Sequence, residues 1–221
     1  MDERYSEGMH RQTLNEKENI DMTHRERMEN GLWYDANFDP ELLALRENAD
    51  ELCFRFNHTS PKKSEEKERL LSQLIPRHGN DTVILAPIYA DYGVKTTIGD
   101  GTFINHNAYL MDGGTITIGR HCFIGPNCGM YTAGHPLNPE ERNKGLERAL
   151  PIVIEDNVWI GADVTILPGV TIGEGAVIGG KSCVTKDVPA GVIAVGNPCR
   201  VMRPITEEGR IGELGVDDEL G

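Results

Sequence analysis

The segment Ile154–Val188, IEDNVWIGADVTILPGVTIGEGAVIGGKSCVTKDV, repeats a six-residue unit. Each unit opens with an aliphatic residue, usually followed by glycine, and carries a small or β-branched residue four positions later. The opening residues are Ile154, Ile160, Ile166, Ile172, Ile178 and Val184, and the later ones are Val158, Val164, Val170, Ala176, Ser182 and Val188. A unit this short cannot bury its own apolar side chain, so neighbouring turns must stack. The pattern predicts an all-β solenoid, commonly a parallel β-helix.

The same register continues upstream and is interrupted twice. Further units open at Ile98, Ile104, Ile118 and Ile124. The spacing lengthens between Leu110 and Ile118, and a long polar stretch separates Met130 from Ile152. Because insertions in a solenoid are extruded as loops, and loops on a rigid scaffold often carry function, we expect the loop at 132–150 to contribute to the functional site.

The chain before the solenoid predicts three helices. A short helix is expected from Thr23 to Asn30, a second begins with Asp39 as N-cap and Pro40 in its first turn, and a third runs from about Ser64 to Ile75. The second has an apolar stripe of Leu42, Leu45, Ala49, Leu52, Cys53 and Phe56. Such helices can cover the open strand edge at one end of a solenoid. The expected organisation is a mobile extension (1–21), a helical segment (22–78), a β-helix (79–204) and an acidic tail (205–221).

Composition narrows the class of protein. The chain has 221 residues and a formal net charge of -13, which argues against a nucleic-acid or anionic-membrane surface. No apolar run approaches the roughly 20 residues that span a bilayer, and a signal-peptide pattern is missing at the N-terminus, so a cytoplasmic protein is expected. The five cysteines form no Cys-x-x-Cys pair, which predicts neither a disulfide framework nor a thiolate metal site.

His135 is the first candidate for chemistry, because it opens the long insertion in the sequence Thr132-Ala133-Gly134-His135-Pro136. An imidazole has an unperturbed pKa near 6.5 and can take a proton from an attacking hydroxyl or amine at neutral pH. A loop histidine that only bonds the backbone is the alternative that the sequence leaves open.

Several short motifs occur together with the repeat. They are Tyr34-Asp35, Phe56-Asn57-His58, Tyr92-Gly93, Asp112-Gly113-Gly114, His135-Pro136, Pro151-Ile152, Trp159-Ile160-Gly161, Gly169-Val170-Thr171-Ile172-Gly173, Val184-Thr185-Lys186-Asp187-Val188-Pro189 and Gly196-Asn197-Pro198-Cys199-Arg200-Val201. Together they resemble the maltose, galactoside and nodulation-type O-acetyltransferases, from about Met28 to Pro204. Single hexapeptides are far less specific than this combination.

The resemblance implies a left-handed β-helix, a handedness opposite to that of most parallel crossovers. It also implies a homotrimer with active sites in clefts between subunits, and acetyl-CoA as co-substrate. His135 matches the family's catalytic histidine, so a general-base role follows: it would deprotonate an acceptor hydroxyl that attacks the thioester directly, without an acyl-enzyme and without a metal. Backbone N–H groups near Gly161 and Ala162 are the expected stabilisers of the oxyanion.

The same resemblance assigns residues to the two substrates. On the acceptor side it places Asn105, Asp91, Asp112, Arg46 and Glu147, where Glu147 corresponds to a position that varies across the family. Near CoA it places Trp159, Gly161, Ala162, Gly180, Thr185, Lys186, Arg200 and Arg203, of which the cationic residues suit its phosphates. Gly113 departs from the galactoside enzymes, which have an acidic residue there, and the Asp112-Gly113-Gly114 run is closer to the maltose type.

Three alternatives stay open at this point. A hexapeptide-repeat carbonic anhydrase would bind zinc through histidines, but the closely spaced histidine pair of that family is missing here. A solenoid that serves only as a binding scaffold is the non-enzymatic alternative. Among acetyltransferases, a sugar hydroxyl of maltose or glucose type is favoured as acceptor over an antibiotic hydroxyl or an amino sugar, because the helical N-terminal segment resembles that of sugar-acetylating members.

Overall fold

Residues 22–206 are described by the computed structural model, in which the chain winds into a parallel β-solenoid of about six turns. The predicted N-terminal extension (1–21) and nearly all of the predicted acidic tail, from Glu207 on, lie outside the described residues. Among the described residues no helix is both long and apolar enough to cross a membrane.

The helical segment precedes the solenoid. It consists of α1 (His24–Glu29), the short strand β1 (Tyr34–Asp35), α2 (Pro40–His58) and α3 (Ser64–Leu74). All three predicted helices are confirmed, and the third ends one residue earlier than predicted. The Asp39 carboxylate accepts a hydrogen bond of 2.9 Å from the N–H of Leu42, as an N-cap does.

Three sheets form the three faces of the solenoid. Face 1 consists of β2 (Arg77–His78), β5 (Thr96–Ile98), β8 (Ile116–Ile118), β13 (Ile152–Ile154) and β16 (Thr171–Ile172). Face 2 consists of β3 (Val83–Ile84), β6 (Phe103–Ile104), β9 (Phe123–Ile124), β14 (Trp159–Ile160), β17 (Val177–Ile178) and β19 (Val192–Val195). Face 3 consists of β4 (Ile88–Ala90), β7 (Ala108–Met111), β10 (Gly129–Tyr131), β15 (Thr165–Ile166) and β18 (Cys183–Val184).

The hexapeptide pattern explains this arrangement. Strands of successive coils pair in parallel so that aliphatic residues meet, as Ile124 meets Ile160 and Ile160 meets Ile178. These isoleucines are at most 1 % exposed and belong to one core that runs the length of the solenoid. The predicted parallel solenoid is therefore confirmed.

Three corners connect the faces. Corner A joins face 2 to face 3 at residues 105–107, 125–128, 161–164 and 179–182. Corner B joins face 3 to face 1 at residues 91–95, 112–115, 132–151, 167–170 and 185–187. Corner C joins face 1 to face 2 and includes 99–102 and 119–122. The corners pack tightly, because a Cβ on Gly161 would lie only 2.7 Å from the backbone nitrogen of Gly180.

The two ends of the solenoid are closed differently. At the last coil, β19 pairs with the antiparallel strand β20 (Arg200–Pro204). At the first, residues of α2 and α3 share the solenoid core, and the Asn57 side chain pairs with the outer edge of β4. Its amide donates to the Ile88 carbonyl and accepts from the Ile88 N–H, both at 2.9 Å. One side chain thus replaces the missing neighbouring strand at this edge.

This pairing can be tested with Asn57→Ala. Removal of the amide leaves the N–H and C=O of Ile88 without these partners, which we expect to cost about 2 kcal/mol or more. For a chain of this size we expect the thermal midpoint, measured by circular dichroism, to fall by about 4–8 °C. Asn48→Ala, on the exposed face of the same helix, is the matched control and should melt close to the parent. Equal midpoints for the two variants would contradict the pairing argument.

Candidate active site

The inserted loop leaves the solenoid at corner B and folds against the helical segment. It contains β11 (Ala133–Gly134), α4 (Pro139–Arg142) and β12 (Leu146–Ala149). Strand β12 lies between β1 and β11 in a three-stranded antiparallel sheet. A second small core supports this lobe and consists of Met28, Tyr34, Ala36, Leu42, Tyr92 and Ala149. The loop is therefore held in place by the helical segment and not by the solenoid alone.

His135 directly follows β11, and its imidazole is exposed. Its Nδ1 lies 2.9 Å from the carbonyl oxygen of Leu146. Because a carbonyl oxygen can only accept, this bond requires the proton on Nδ1. In the neutral ring Nε2 then carries the free lone pair, so the backbone sets the tautomer that a general base needs.

A buried polar group lies beside β12. The Tyr34 hydroxyl donates to Oε1 of Glu147, and the Arg46 guanidinium donates to the carbonyl of Ala36. The guanidinium carbon lies 5.8 Å from the ring centroid of Tyr92. Burial, together with the Glu147 charge, raises the pKa of Tyr34 far above its ordinary value, so the phenol stays protonated and donates. The structure thus brings the predicted residues Arg46 and Glu147 together.

Asp91 belongs to the same group. Its carboxylate accepts a 2.7 Å hydrogen bond from the Tyr109 hydroxyl. Burial raises the pKa of Asp91, while the Tyr109 bond and the Arg46 charge act in the opposite direction. Tyr109 lies in a row of outward tyrosines on face 3, with ring centroids 6.4 Å from Tyr89 and 5.9 Å from Tyr131.

Gly113 packs directly against the side chains of this group. A Cβ at this position would lie 2.9 Å from the Tyr34 hydroxyl oxygen and 3.3 Å from Oε1 of Glu147. Even the smallest side chain would press on the Tyr34–Glu147 bond. The glycine noted in the sequence therefore has a steric reason here.

Asp112 stabilises a turn beside the other predicted acceptor residues. Its side chain is fully buried. Oδ1 accepts from the N–H groups of Tyr92 and Gly93 at 2.8 and 3.1 Å, and Oδ2 accepts from the Lys95 N–H and Thr96 hydroxyl at 3.2 and 3.1 Å. Both oxygens are therefore used within the turn that carries Tyr92. The place of Asp112 near the acceptor stays a prediction.

The remaining predicted residues lie at other positions on the solenoid. Asn105, Gly161, Ala162 and Gly180 are at corner A, whereas His135 and Asp91 are at corner B. Face 3 separates these corners with strands of three or four residues, which span about 10–13 Å. The Asn105 side chain accepts from the His106 N–H at 2.8 Å. One chain alone does not bring the two predicted halves together.

The two predicted oxyanion donors are not equivalent. The Gly161 N–H donates to the Ile178 carbonyl at 2.8 Å as part of the coil ladder. Because this N–H is already used within the coil, it is the less available of the two predicted donors. The Ala162 carbonyl accepts from Lys181 at 2.8 Å, but its N–H has no hydrogen-bond partner within residues 22–206. Ala162 therefore presents the available donor.

The predicted CoA residues are spread along the later coils. Trp159 is 57 % exposed on face 2, in register with Phe123, which is equally exposed. Arg200 and Arg203 lie on β20, which extends the same face. The exposed Thr185 and Lys186 follow β18 at corner B.

Sequence reasoning did not identify Tyr34 or Tyr109 as partners of the acidic residues. One coil spans 20 residues where Tyr89 pairs with Tyr109 and 18 residues where Ile160 pairs with Ile178. Residues about one coil apart are therefore neighbours, and this spacing could have linked Asp91 to Tyr109. No group of three or more His, Cys, Asp or Glu in the described part of the chain is placed to hold a metal ion.

Comparisons with known proteins identify the family of the chain. Residues 27–79 match the maltose acetyltransferase hexapeptide capping motif, residues 115–134 match the hexapeptide repeat of succinyl-transferase, and residues 151–186 match the bacterial transferase hexapeptide of six repeats. The matched repeats fit a left-handed β-helix. A putative acetyltransferase of Staphylococcus aureus is 50 % identical over 187 residues, which cover 85 % of this chain and 94 % of that protein.

Two solved structures are also similar. A maltose O-acetyltransferase from Clostridium difficile superposes with a TM-score of 0.82 at 42 % identity, covering 84 % of this chain and 99 % of that one. A galactoside acetyltransferase in complex with coenzyme A gives a TM-score of 0.81 at 36 % identity, covering 85 % and 94 %. The chain therefore belongs to the hexapeptide-repeat acetyltransferases, in the group that includes the maltose and galactoside O-acetyltransferases.

Proposed function

We propose that this enzyme transfers the acetyl group of acetyl-CoA to a hydroxyl group of a neutral sugar, with His135 as general base. The observation that carries the proposal is the Nδ1–Leu146 hydrogen bond, because it leaves Nε2 free to accept a proton. The similar structures support the substrate classes, since one is a maltose O-acetyltransferase and another holds coenzyme A.

The reaction needs no covalent enzyme intermediate. Nε2 of His135 takes the proton of the acceptor hydroxyl as its oxygen attacks the thioester carbonyl carbon. The negative charge that develops on the carbonyl oxygen is stabilised by the Ala162 N–H. When the tetrahedral intermediate collapses, its C–S bond breaks and Nε2–H returns the proton to the departing thiolate of CoA.

This reaction requires two copies of the chain. Asn105 and Ala162 lie at corner A, whereas His135 and Asp91 lie at corner B, so a complete site joins corner A of one subunit to corner B of another. A ring built from such unlike surfaces closes with cyclic symmetry. The exposed Phe123 and Trp159 on face 2 provide apolar surface for this contact. We propose a homotrimer on these grounds and on the family resemblance.

The charges around the acceptor favour neutral sugars. The negative charges of Asp91 and Glu147 both interact favourably with the Arg46 guanidinium, so two carboxylates face one cation. In a chain with a net charge of -13 this leaves the cluster of Arg46, Asp91 and Glu147 negative. An anionic sugar is repelled, whereas the free carboxylate oxygens accept hydrogen bonds from hydroxyl groups. A protonated amino sugar is the second acceptor class that this charge balance permits.

The base can be tested with His135→Ala in an assay of thiol release from acetyl-CoA with glucose and maltose. We expect kcat to fall by about 100-fold or more, because no other group takes the hydroxyl proton. His121→Asn at corner C is the matched control, since its left-handed backbone (φ 53°) tolerates asparagine. Parental turnover in His135→Ala would exclude the proposed base.

The acceptor class can be tested by comparing glucose, glucosamine and glucuronate at one pH. We expect glucuronate to react at least about tenfold more slowly than glucose in kcat/KM, because its carboxylate meets Asp91 and Glu147. Asp91→Asn should narrow this ratio. If glucuronate reacts as fast as glucose in the parent, the electrostatic argument for a neutral acceptor fails.

The Tyr109–Asp91 bond predicts a change in pH dependence. Tyr109→Phe removes a hydrogen bond that lowers the pKa of Asp91, so this pKa rises further. Because the ionised carboxylate is the form that accepts sugar hydroxyls, the ratio of kcat/KM for the acceptor in the variant to that in the parent should fall as the pH is lowered, whereas protonation of His135 affects both enzymes alike. Tyr89→Phe is the control, since within the described residues the Tyr89 hydroxyl has no hydrogen-bond partner. A ratio that does not change with pH in Tyr109→Phe would show that Asp91 does not control acceptor use.

A further inference from the structure

Thr132 stands at the point where the chain leaves the solenoid and enters the inserted loop. It follows β10 directly, and its side chain is fully buried. A polar side chain in such a position must have its hydrogen bonds made within the protein. The partners of Thr132 therefore indicate what it holds.

The hydroxyl of Thr132 connects two coils. It donates to the carbonyl of Met111, at the end of β7, and accepts the N–H of Gly114 at 2.8 Å. The backbone of Thr132 repeats this pattern, with its N–H 3.2 Å from the same Met111 carbonyl and its own carbonyl accepting from Leu150 at 2.8 Å. Both ends of the inserted loop and the turn at 112–114 thus meet at one residue.

These contacts reach the candidate active site from two sides. The turn contains Gly113, whose position faces the Tyr34–Glu147 bond. Leu150 follows β12, the strand that supplies both Glu147 and the carbonyl bonded to His135. The turn and the loop end are also in direct contact, because a Cβ on Gly114 would lie 2.8 Å from the Leu150 carbonyl oxygen.

We propose that Thr132 is a positioning residue that fixes the His135 loop relative to the acceptor pocket through its hydroxyl group. The inference rests on the proposed function of His135. Without the hydroxyl, the Gly114 N–H loses its partner and the turn is free to move against the loop. A small displacement of a general base is costly, since misplacement by about 1 Å can reduce a rate by about 100-fold.

The solenoid provides a matched control for the purely structural role. Thr102 is also fully buried, donates to the Gly119 carbonyl at 2.8 Å and accepts the Cys122 N–H at 3.1 Å. It belongs to corner C, away from the inserted loop. Thr102→Val therefore removes the same two types of hydrogen bond from a regular coil.

The experiment compares Thr132→Val, Thr132→Ser and Thr102→Val in the full chain. For Thr132→Val we expect kcat/KM for the sugar to fall by about 10- to 100-fold, while KM for acetyl-CoA stays within about threefold of the parent. Serine keeps the hydroxyl, so Thr132→Ser should recover most of the activity. Thr102→Val should lose comparable thermal stability and keep parental kinetics.

Hydrogen exchange gives a readout that does not depend on activity. In Thr132→Val the amide of Gly114 and those of the loop at 132–150 should exchange faster, whereas in Thr102→Val they should not. If exchange and sugar kinetics are the same in the two valine variants, Thr132 has no positioning role. If the parent acetylates no sugar but the exchange difference is present, the positioning of the loop stands and the proposed acceptor is wrong.

Discussion

The stacking of successive coils is the constraint on which the rest of this structure depends. Each coil must place its aliphatic residues over those of the next, and this uses most backbone N–H and C=O groups in ladders between coils. The constraint also decides which groups remain for chemistry. The Gly161 N–H donates to the Ile178 carbonyl, whereas the N–H of the neighbouring Ala162 has no partner among the described residues. Regularity therefore selects the few backbone groups that a ligand can use.

An insertion can leave such a solenoid only at a corner, because a departure within a strand would break a ladder. The loop at 132–150 obeys this rule, and its two ends are joined again by the backbone of Thr132 and Leu150. Beyond that junction the loop has no coil to stack upon. It obtains a neighbour from the helical segment, through the pairing of β12 with β1. The helical segment consequently closes one end of the solenoid and also builds the lobe that carries His135.

Local patterns predicted most of the fold and only part of the site. Neighbouring residues are enough to show the six-residue period, the start of α2 at Asp39-Pro40 and the position of His135 at the start of the insertion. The contacts that local patterns did not indicate join residues about one coil apart. Asp112 looks like a pocket residue in sequence, but its oxygens are used by the turn at 92–96. Likewise, the partner of Asp91 is Tyr109, 18 residues later, which no local pattern signals.

The candidate site also contains features that destabilise the folded state and that a regular coil lacks. Asp112 is a buried acid, and its burial raises its pKa. Gly113 has no side chain to pack. The Nε of Arg46 is buried without a hydrogen-bond partner among the described residues. An unsatisfied buried donor alone costs about 1–3 kcal/mol. The continuous apolar core of the solenoid can offset such costs, because apolar burial stabilises by about 25 cal/mol per Å². These three destabilising features thus lie at corner B and in the helical segment beside it, where the continuous core of the solenoid can compensate for them.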